Sequence, residues 1–284
     1  MGLPNIQQVE RLIERALAED LGQGDVTTEA LVPDDQRRKA SITAKAKGVI
    51  AGTEVAKQVF LKVDPELKVD ILVDDGVKVR PKNVIARIEG KCASILEAER
   101  VALNFLQHLS GIASETARYV QAVKGLPAQI TDTRKTTPGL RMLEKYAVQA
   151  GGGRNHRMHL GDGILIKDNH LAALRSKGLT MKEIVARARQ KASPELEIEI
   201  EVKSAQEASE AAEAGADIIM LDNMDLQDMR QAVRLIRGRA IIEASGGITL
   251  DTVRAVARTG VDFVSVGALT HSAKAMDISL EVTS

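Results

Sequence analysis

"PELEIEIEVKS", residues 194–204, alternates with period two. Successive strand side chains point to opposite faces, so Ile198, Ile200 and Val202 share one face while Glu197, Glu199 and Glu201 share the other. A strand with one aliphatic and one acidic face suits an enclosed sheet: the aliphatic side meets helices and the acidic side looks inward. Buried carboxylates persist only when paired or bound to metal. The cations must therefore come from elsewhere in the chain.

The flanking sequence repeats strand and helix patterns. Strands are expected in "AQITDT" (128–133), "GILIK" (163–167), "LEIEIEV" (196–202), "DIIML" (217–221), "AIIEAS" (240–245) and "DFVSVG" (262–267). Helices are expected from Thr137-Pro138, where a polar cap precedes proline at the first helical position, and over 180–191, 204–214, 225–237 and 249–258. Repeated βα units imply a parallel sheet under helical cover. The fold class read here is α/β: a C-terminal βα barrel-like domain, incomplete relative to the eightfold TIM type, over 111–284, with a smaller α+β domain over 1–110. An open doubly wound sheet is the alternative.

The N-terminal part opens on a helix over 5–20 with Asn5 as its cap, followed by strand-like runs "ASITAKAKGVIAG", "LKVDILV" and "NVIARIEG" and by a helix "TEVAKQVFLKV". Asp74-Asp75-Gly76 reads as a hairpin turn. From Ser94 to about Val123 the chain is helical and apolar on nearly every side, through Ile95, Leu96, Ala98, Val101, Ala102, Leu103, Phe105, Leu106 and Leu109. Such a helix belongs between domains or subunits.

Charge is segregated by window. Residues 134–170 hold seven Lys or Arg against three acids, with His156, His159 and His170, whereas 195–228 hold eleven acids against one lysine. The two windows are expected to partner each other inside the barrel. Glu207, Glu210 and Glu213 form a solvated helix face. Glu201, nearest the C-terminal end of its strand, is placed to work on a ligand. Glu197, deeper in the strand, is expected to serve stability through a buried partner.

Active sites of βα barrels lie at the C-terminal strand ends. Those ends read Asp132, Thr133, Arg134 and Lys135; Lys167, Asp168 and Asn169; Glu201 and Lys203; Asp222 and Asn223; Ser245, Gly246 and Gly247; and Gly267. "EASGGIT" and "VSVGALT" close the last two strands. Glycine there lets backbone N–H groups approach a phosphate.

Composition excludes several function classes. Thirty-nine basic residues balance thirty-nine acidic ones, and aromatic content is 2% without tryptophan, so neither a nucleic-acid footprint nor a stacking platform is present. The single cysteine, Cys92, excludes an internal disulfide and fits a reducing cytoplasm. The charge density of residues 10–20 fits neither a signal peptide nor a membrane span.

"TDTRKTTPGLRMLEKYAVQAGGGRNHR", "LIKDNH", "EIEV", "IMLDN", "EASGGI" and "VSVGALTHS", with "EDLGQGDVTTEAL" and "ILEAERVALNFLQHLSGIA", resemble the quinolinate phosphoribosyltransferase family along nearly the whole chain. The resemblance implies transfer of a phosphoribosyl group from phosphoribosyl pyrophosphate to quinolinate with Mg²⁺, giving nicotinate mononucleotide, pyrophosphate and carbon dioxide in NAD biosynthesis. It implies quinolinate binding by Arg100, Arg134, His156, Arg157 and Lys167, and donor contact by Lys135. Glu201 and Asp222 match the acids near the ribose and its Mg²⁺, while Ser245, Gly246, Gly267 and His271 match positions around the donor phosphate. His159 departs from the family, which has glycine there. The resemblance also implies a homodimer, or a higher homo-oligomer, with Arg100 supplied by the partner chain. Other readings are a related phosphoribosyltransferase acting on nicotinate or another pyridine or pyrimidine acid, a Schiff-base lyase using Lys167, and a non-catalytic metabolite-binding barrel.

Overall fold

A computed structural model describes residues 5–283. In chain order the elements are α1 (Ile6–Leu21), α2 (Val26–Leu31), β1 (Arg37–Ala44), β2 (Gly48–Val49), α3 (Thr53–Val63), β3 (Lys68–Ile71), β4 (Lys78–Val79), β5 (Val84–Lys91) and α4 (Cys92–Ala122). They continue with β6 (Gln129–Thr131), α5 (Arg141–Ala150), β7 (Ile164–Ile166), α6 (Asp168–Arg175), α7 (Met181–Lys191), β8 (Ile198–Val202), α8 (Ala205–Ala214) and β9 (Ile218–Asp222). The last are α9 (Leu226–Ile236), β10 (Ile241–Ser245), α10 (Val253–Ala257), β11 (Phe263–Ser265), α11 (Ala268–His271) and β12 (Ile278–Thr283).

Two compact units result. One gathers residues up to Ala117 with Thr136–Gly152 and Ala268 onward; the other comprises Arg118–Lys135 and Gly153–Gly267. The boundary expected at 110/111 falls inside α4, and α5, α11 and β12 pack with the N-terminal elements although they come late in the chain.

The first unit is built on an antiparallel sheet in the order β12-β1-β5-β3. In α1, Val9, Ile13 and Leu17 recur four apart as the buried stripe, and Asn5 caps the helix by accepting from the Gln8 N–H. The aspartates at 74–75 form a turn but join no hairpin, because β3 and β4 lie in different sheets. Asp75 instead accepts the Gly52 N–H at 2.8 Å, the Thr53 N–H at 3.0 Å and the Tyr146 hydroxyl at 2.6 Å. Gly52 has no side chain with which to cap α3, so this carboxylate satisfies the helix N-terminus from a distance in sequence. In α4, Ile95, Ala98, Val101, Ala102, Leu103, Phe105, Leu106 and Leu109 are buried.

The second unit holds six parallel strands in the order β6-β11-β10-β9-β8-β7. The first strand pairs with the last, as barrel closure requires. Among the described residues no strand pair joins β6 to β7. At that seam Arg154 bridges Thr131 in parallel, donating its N–H to Ile130 O at 2.8 Å and accepting the Asp132 N–H at 3.1 Å. The barrel is therefore incomplete, as the strand count implied. Ile198, Ile200 and Val202 are at most 1% exposed on the helix-facing side of β8, under α7 and α8.

Three local expectations are corrected. The helix expected from Thr137-Pro138 begins at Arg141: the Leu140 N–H reaches Thr137 O, and Gly139 has φ +83°, the left-handed backbone that the third residue of a type II turn demands after proline. Helix α6 follows β7 immediately, where no helix was expected. Glu197 is exposed and precedes β8, so it has no buried role; the acid buried deep in that strand is Glu199, 5% exposed.

Candidate active site

At the C-terminal strand ends of the second unit lies a cavity of about 500 Å³, a size suited to small-molecule ligands. Its lining includes Arg134, Lys135, His156, Arg157, Lys167, Glu201, Asp222 and Ser245. The chain thus assembles, from five strand ends and one loop, most of the residues singled out in the sequence. Gly246 follows β10 directly, and Gly267 lies two residues beyond the end of β11. Arg100 and His271 belong to the other unit. Arg100 is exposed on α4 and makes no ion pair with Glu97 or Glu99 among the described residues.

The cations come from one arc of the barrel. Arg134 and Lys135 follow β6, His156 and Arg157 sit in the loop at the open seam, and Lys167 follows β7. Burial and the nearby Arg134 charge both lower the Arg157 pKa, outweighing the acids Glu199 and Asp162. Two guanidiniums held this close favour an anion between them. Arg157 also donates to Gly163 O at 2.9 Å, which fixes its head.

The acids come from the next arc. Strand register places Glu201 beside Met220 and Met220 beside Glu243, in one row across β8, β9 and β10, with Asp222 further along β9 beside Ser245. Burial raises the Glu201 pKa, and the Asp222 and Asp168 charges add to the effect against Lys167 and Lys203. Asp168 is partly relieved by Lys203, whose ammonium lies 2.7 Å away and lowers its pKa.

After β9 the chain turns at Asn223, φ +53°, whose amide donates to Asp222 Oδ2 at 2.9 Å and whose N–H donates to Ser245 O at 2.9 Å. Gly246, φ +97°, lies against that amide, so any Cβ there would collide with it. The glycine at the end of β10 is thus required by close approach to the residue that orients Asp222.

Sequence reasoning missed the cavity floor. Glu243, 3% exposed, accepts a short hydrogen bond from the Ser265 hydroxyl. Burial, reinforced by the Glu199 charge, pushes its carboxyl up to about 7, against the lowering influence of His156. His156 Nε2 lies 3.1 Å from Glu199 and 3.6 Å from Glu243. These three side chains bring potential ligand atoms within 4.8 Å of one another. A weak signal was available: strand periodicity puts Glu243 on the same face as the strand-end Ser245 and puts Ser265 on the face opposite Val264.

His159, where the resemblance has glycine, takes no left-handed backbone. Asp162 closes its loop, accepting the Met158 and His159 N–H groups at 2.8 and 3.0 Å and pairing with the His159 ring at 2.8 Å.

The family models for the quinolinate phosphoribosyl transferase N-terminal and C-terminal domains match residues 25–110 and 112–281. The chain belongs to this family. It is 44% identical over 279 residues to a probable nicotinate-nucleotide pyrophosphorylase [carboxylating] of Bacillus subtilis, covering 98% of this chain and 95% of that protein. Among solved structures, NadC from Streptococcus pyogenes is 45% identical with a TM-score of 0.94, covering 100% of this chain and 99% of that one. The nicotinate-nucleotide pyrophosphorylase of Francisella tularensis is 38% identical with a TM-score of 0.92, covering 99% and 98%. Both family members confirm the α/β class with its smaller N-terminal domain. Among the described residues, no helix is long and apolar enough to cross a membrane.

Proposed function

We propose that the chain transfers a phosphoribosyl group from phosphoribosyl pyrophosphate to quinolinate with loss of carbon dioxide, a step of NAD biosynthesis in the cytoplasm. The observation that carries this reading is the division of one cavity into a cationic arc, Arg134, Arg157 and Lys167, and an acidic arc, Glu201 and Asp222. Quinolinate is a dianion, and guanidinium groups match carboxylates with paired hydrogen bonds. Lys135, Ser245 and the backbone at Gly246 and Gly267 serve the donor's phosphates.

Glu201 and Asp222 also fit Mg²⁺. They are hard oxygen donors on adjacent strands, and Asp222 is among the charges that raise the Glu201 pKa, a repulsion that a cation relieves. When bound, Mg²⁺ would neutralise pyrophosphate charge. In the reaction the C1–oxygen bond of the ribose breaks, the electron pair leaves with pyrophosphate, and the two carboxylates stabilise the cationic ribosyl carbon. The pyridine nitrogen forms the new bond. The resulting pyridinium accepts electron density as the C2–carboxylate bond breaks; carbon dioxide departs and C2 takes a proton. Arg100 completes the dicarboxylate site from a second copy of the chain, so the active form is a homodimer or a multiple of one.

A Schiff-base lyase would need a desolvated lysine, and Lys167 is exposed. The deciding experiment follows labelled carbon dioxide released from quinolinate with and without phosphoribosyl pyrophosphate. Release that needs the donor is expected; release without it, or none at all, refutes the assignment.

A further inference from the structure

We infer that Glu199 is a positioning residue that acts through the His156 imidazole on Arg157, setting this arginine for a dicarboxylate ligand. The identity of that ligand rests on the function proposed above; the mechanical linkage does not.

The ring's proton can be assigned from its partners. His156 Nδ1 lies 2.8 Å from the Arg157 backbone nitrogen, whose N–H can only donate. That nitrogen of the ring must therefore be an acceptor, and a neutral imidazole then carries its proton on Nε2. The Nε2–H points at the Glu199 carboxylate, with oxygens at 3.1 and 3.4 Å. One ring thus ties the backbone of Arg157 to the buried strand β8. A third tie is the His156 N–H, which donates to Asp132 Oδ1 at 2.8 Å.

The linkage matters because residues 155–157 belong to no helix or strand. No ladder of backbone hydrogen bonds fixes Arg157, so the imidazole strut and Asp132 take that role. The far end of the arginine is held by Gly163 O. Between these anchors the guanidinium is fixed beside Arg134 before any anion arrives.

Stability alone does not explain Glu199. Its carboxylate is 5% exposed, and His156 is its hydrogen-bond partner. Replacing such a buried pair with packed aliphatic side chains is often neutral or stabilising. Its strand neighbours Ile198 and Ile200 show that β8 accommodates aliphatics readily, though on the opposite face. The carboxylate at this position is accounted for by what it orients.

The test compares Glu199→Leu, which removes the acceptor, with Glu199→Gln, which keeps an acceptor oxygen. Calorimetry would measure quinolinate and phosphoribosyl pyrophosphate affinities of each, and ¹⁵N NMR would read the His156 tautomer. Losing a hydrogen bond to a charged group should weaken quinolinate binding at least about tenfold in Glu199→Leu, with donor affinity within about twofold of wild type. Glu199→Gln should restore most of the quinolinate affinity. The wild-type ring should show Nε2–H, and Glu199→Leu a mixture. Equal losses for both ligands, or unchanged quinolinate affinity in the folded Leu variant, would overturn the inference. An Nδ1–H ring in the wild type would do so without any variant. If the wild type bound no quinolinate, the functional reading would fall, while the tautomer would still decide the linkage.

Discussion

Replacing Glu243 with glutamine should alter how stability depends on pH. Glu243 is 3% exposed, and burial next to Glu199 moves its carboxyl from the ordinary 4.5 up to about 7. Below pH 4.5 the folded and unfolded chains both hold the proton. Between 4.5 and about 7 the unfolded chain releases it and the folded chain keeps it, so the folded state binds more protons and unfolding free energy falls as pH rises. Above about 7 both are ionised and the dependence levels off. The gap corresponds to about 3 kcal/mol in all, most of which falls between pH 5 and 8. Glutamine cannot ionise, yet its oxygen still accepts from Ser265 and its amide supplies the donor that the protonated acid offers. Urea unfolding of both proteins at pH 5, 6, 7 and 8 should show the variant gaining on the wild type by that amount. Parallel profiles would mean that Glu243 is ionised throughout, and the account of the cavity floor would be wrong.

Arg134→Ala should weaken quinolinate binding and Lys135→Ala donor binding, each by about 2 kcal/mol or tens-fold, the loss of a charge-assisted hydrogen bond; calorimetry showing both variants equally weak for both ligands would defeat the assignment. Glu201→Gln should lower turnover strongly while quinolinate affinity stays near wild type, because its carboxylate serves the ribosyl cation or the metal; undiminished turnover at saturating Mg²⁺ would remove it from the mechanism. Arg100→Ala and Lys135→Ala proteins, assayed at substrate levels low enough that each alone is nearly inactive, should regain roughly a quarter of wild-type activity once subunits exchange at random in a two-fold dimer. No recovery after verified exchange would place Arg100 in its own chain's site.

The barrel was legible because short apolar runs recur between capped helices, and one of them, residues 197–202, alternates strictly. Ser204 and Asp225 cap α8 and α9 where the pattern placed those helices. The same rule applied to "IIEAS" would have found Glu243, but a lone acid in a short strand lacks the repetition that made Glu199 and Glu201 conspicuous. Helix α6 was hidden by its start: Lys167 and Asp168 read as strand-end chemistry, and eight residues leave little room for a period. The onset of α5 was misplaced because proline suits both a first helical turn and a type II turn, and only Gly139 chooses between them. Asp75 was misjudged for a different reason. Its partners, Gly52, Thr53 and Tyr146, are distant in sequence, and no local pattern reports them.

The pairing of β12 with β1, from Lys39↔Thr283 to Ala44↔Ile278, has a consequence for synthesis. The strands of residues 37–91 leave the ribosome first, but their edge stays open while the whole of the second unit, Gly153–Gly267 included, is made. An unpaired edge is a template for the wrong neighbour. The exposed side of β1 must therefore wait, through nearly the full translation time, for a partner more than two hundred residues downstream. Its burden of Arg37, Arg38 and Lys39 keeps one end of that edge soluble in the interval. A nascent chain arrested between Gly267 and Ile278 would carry a finished barrel and an uncovered sheet.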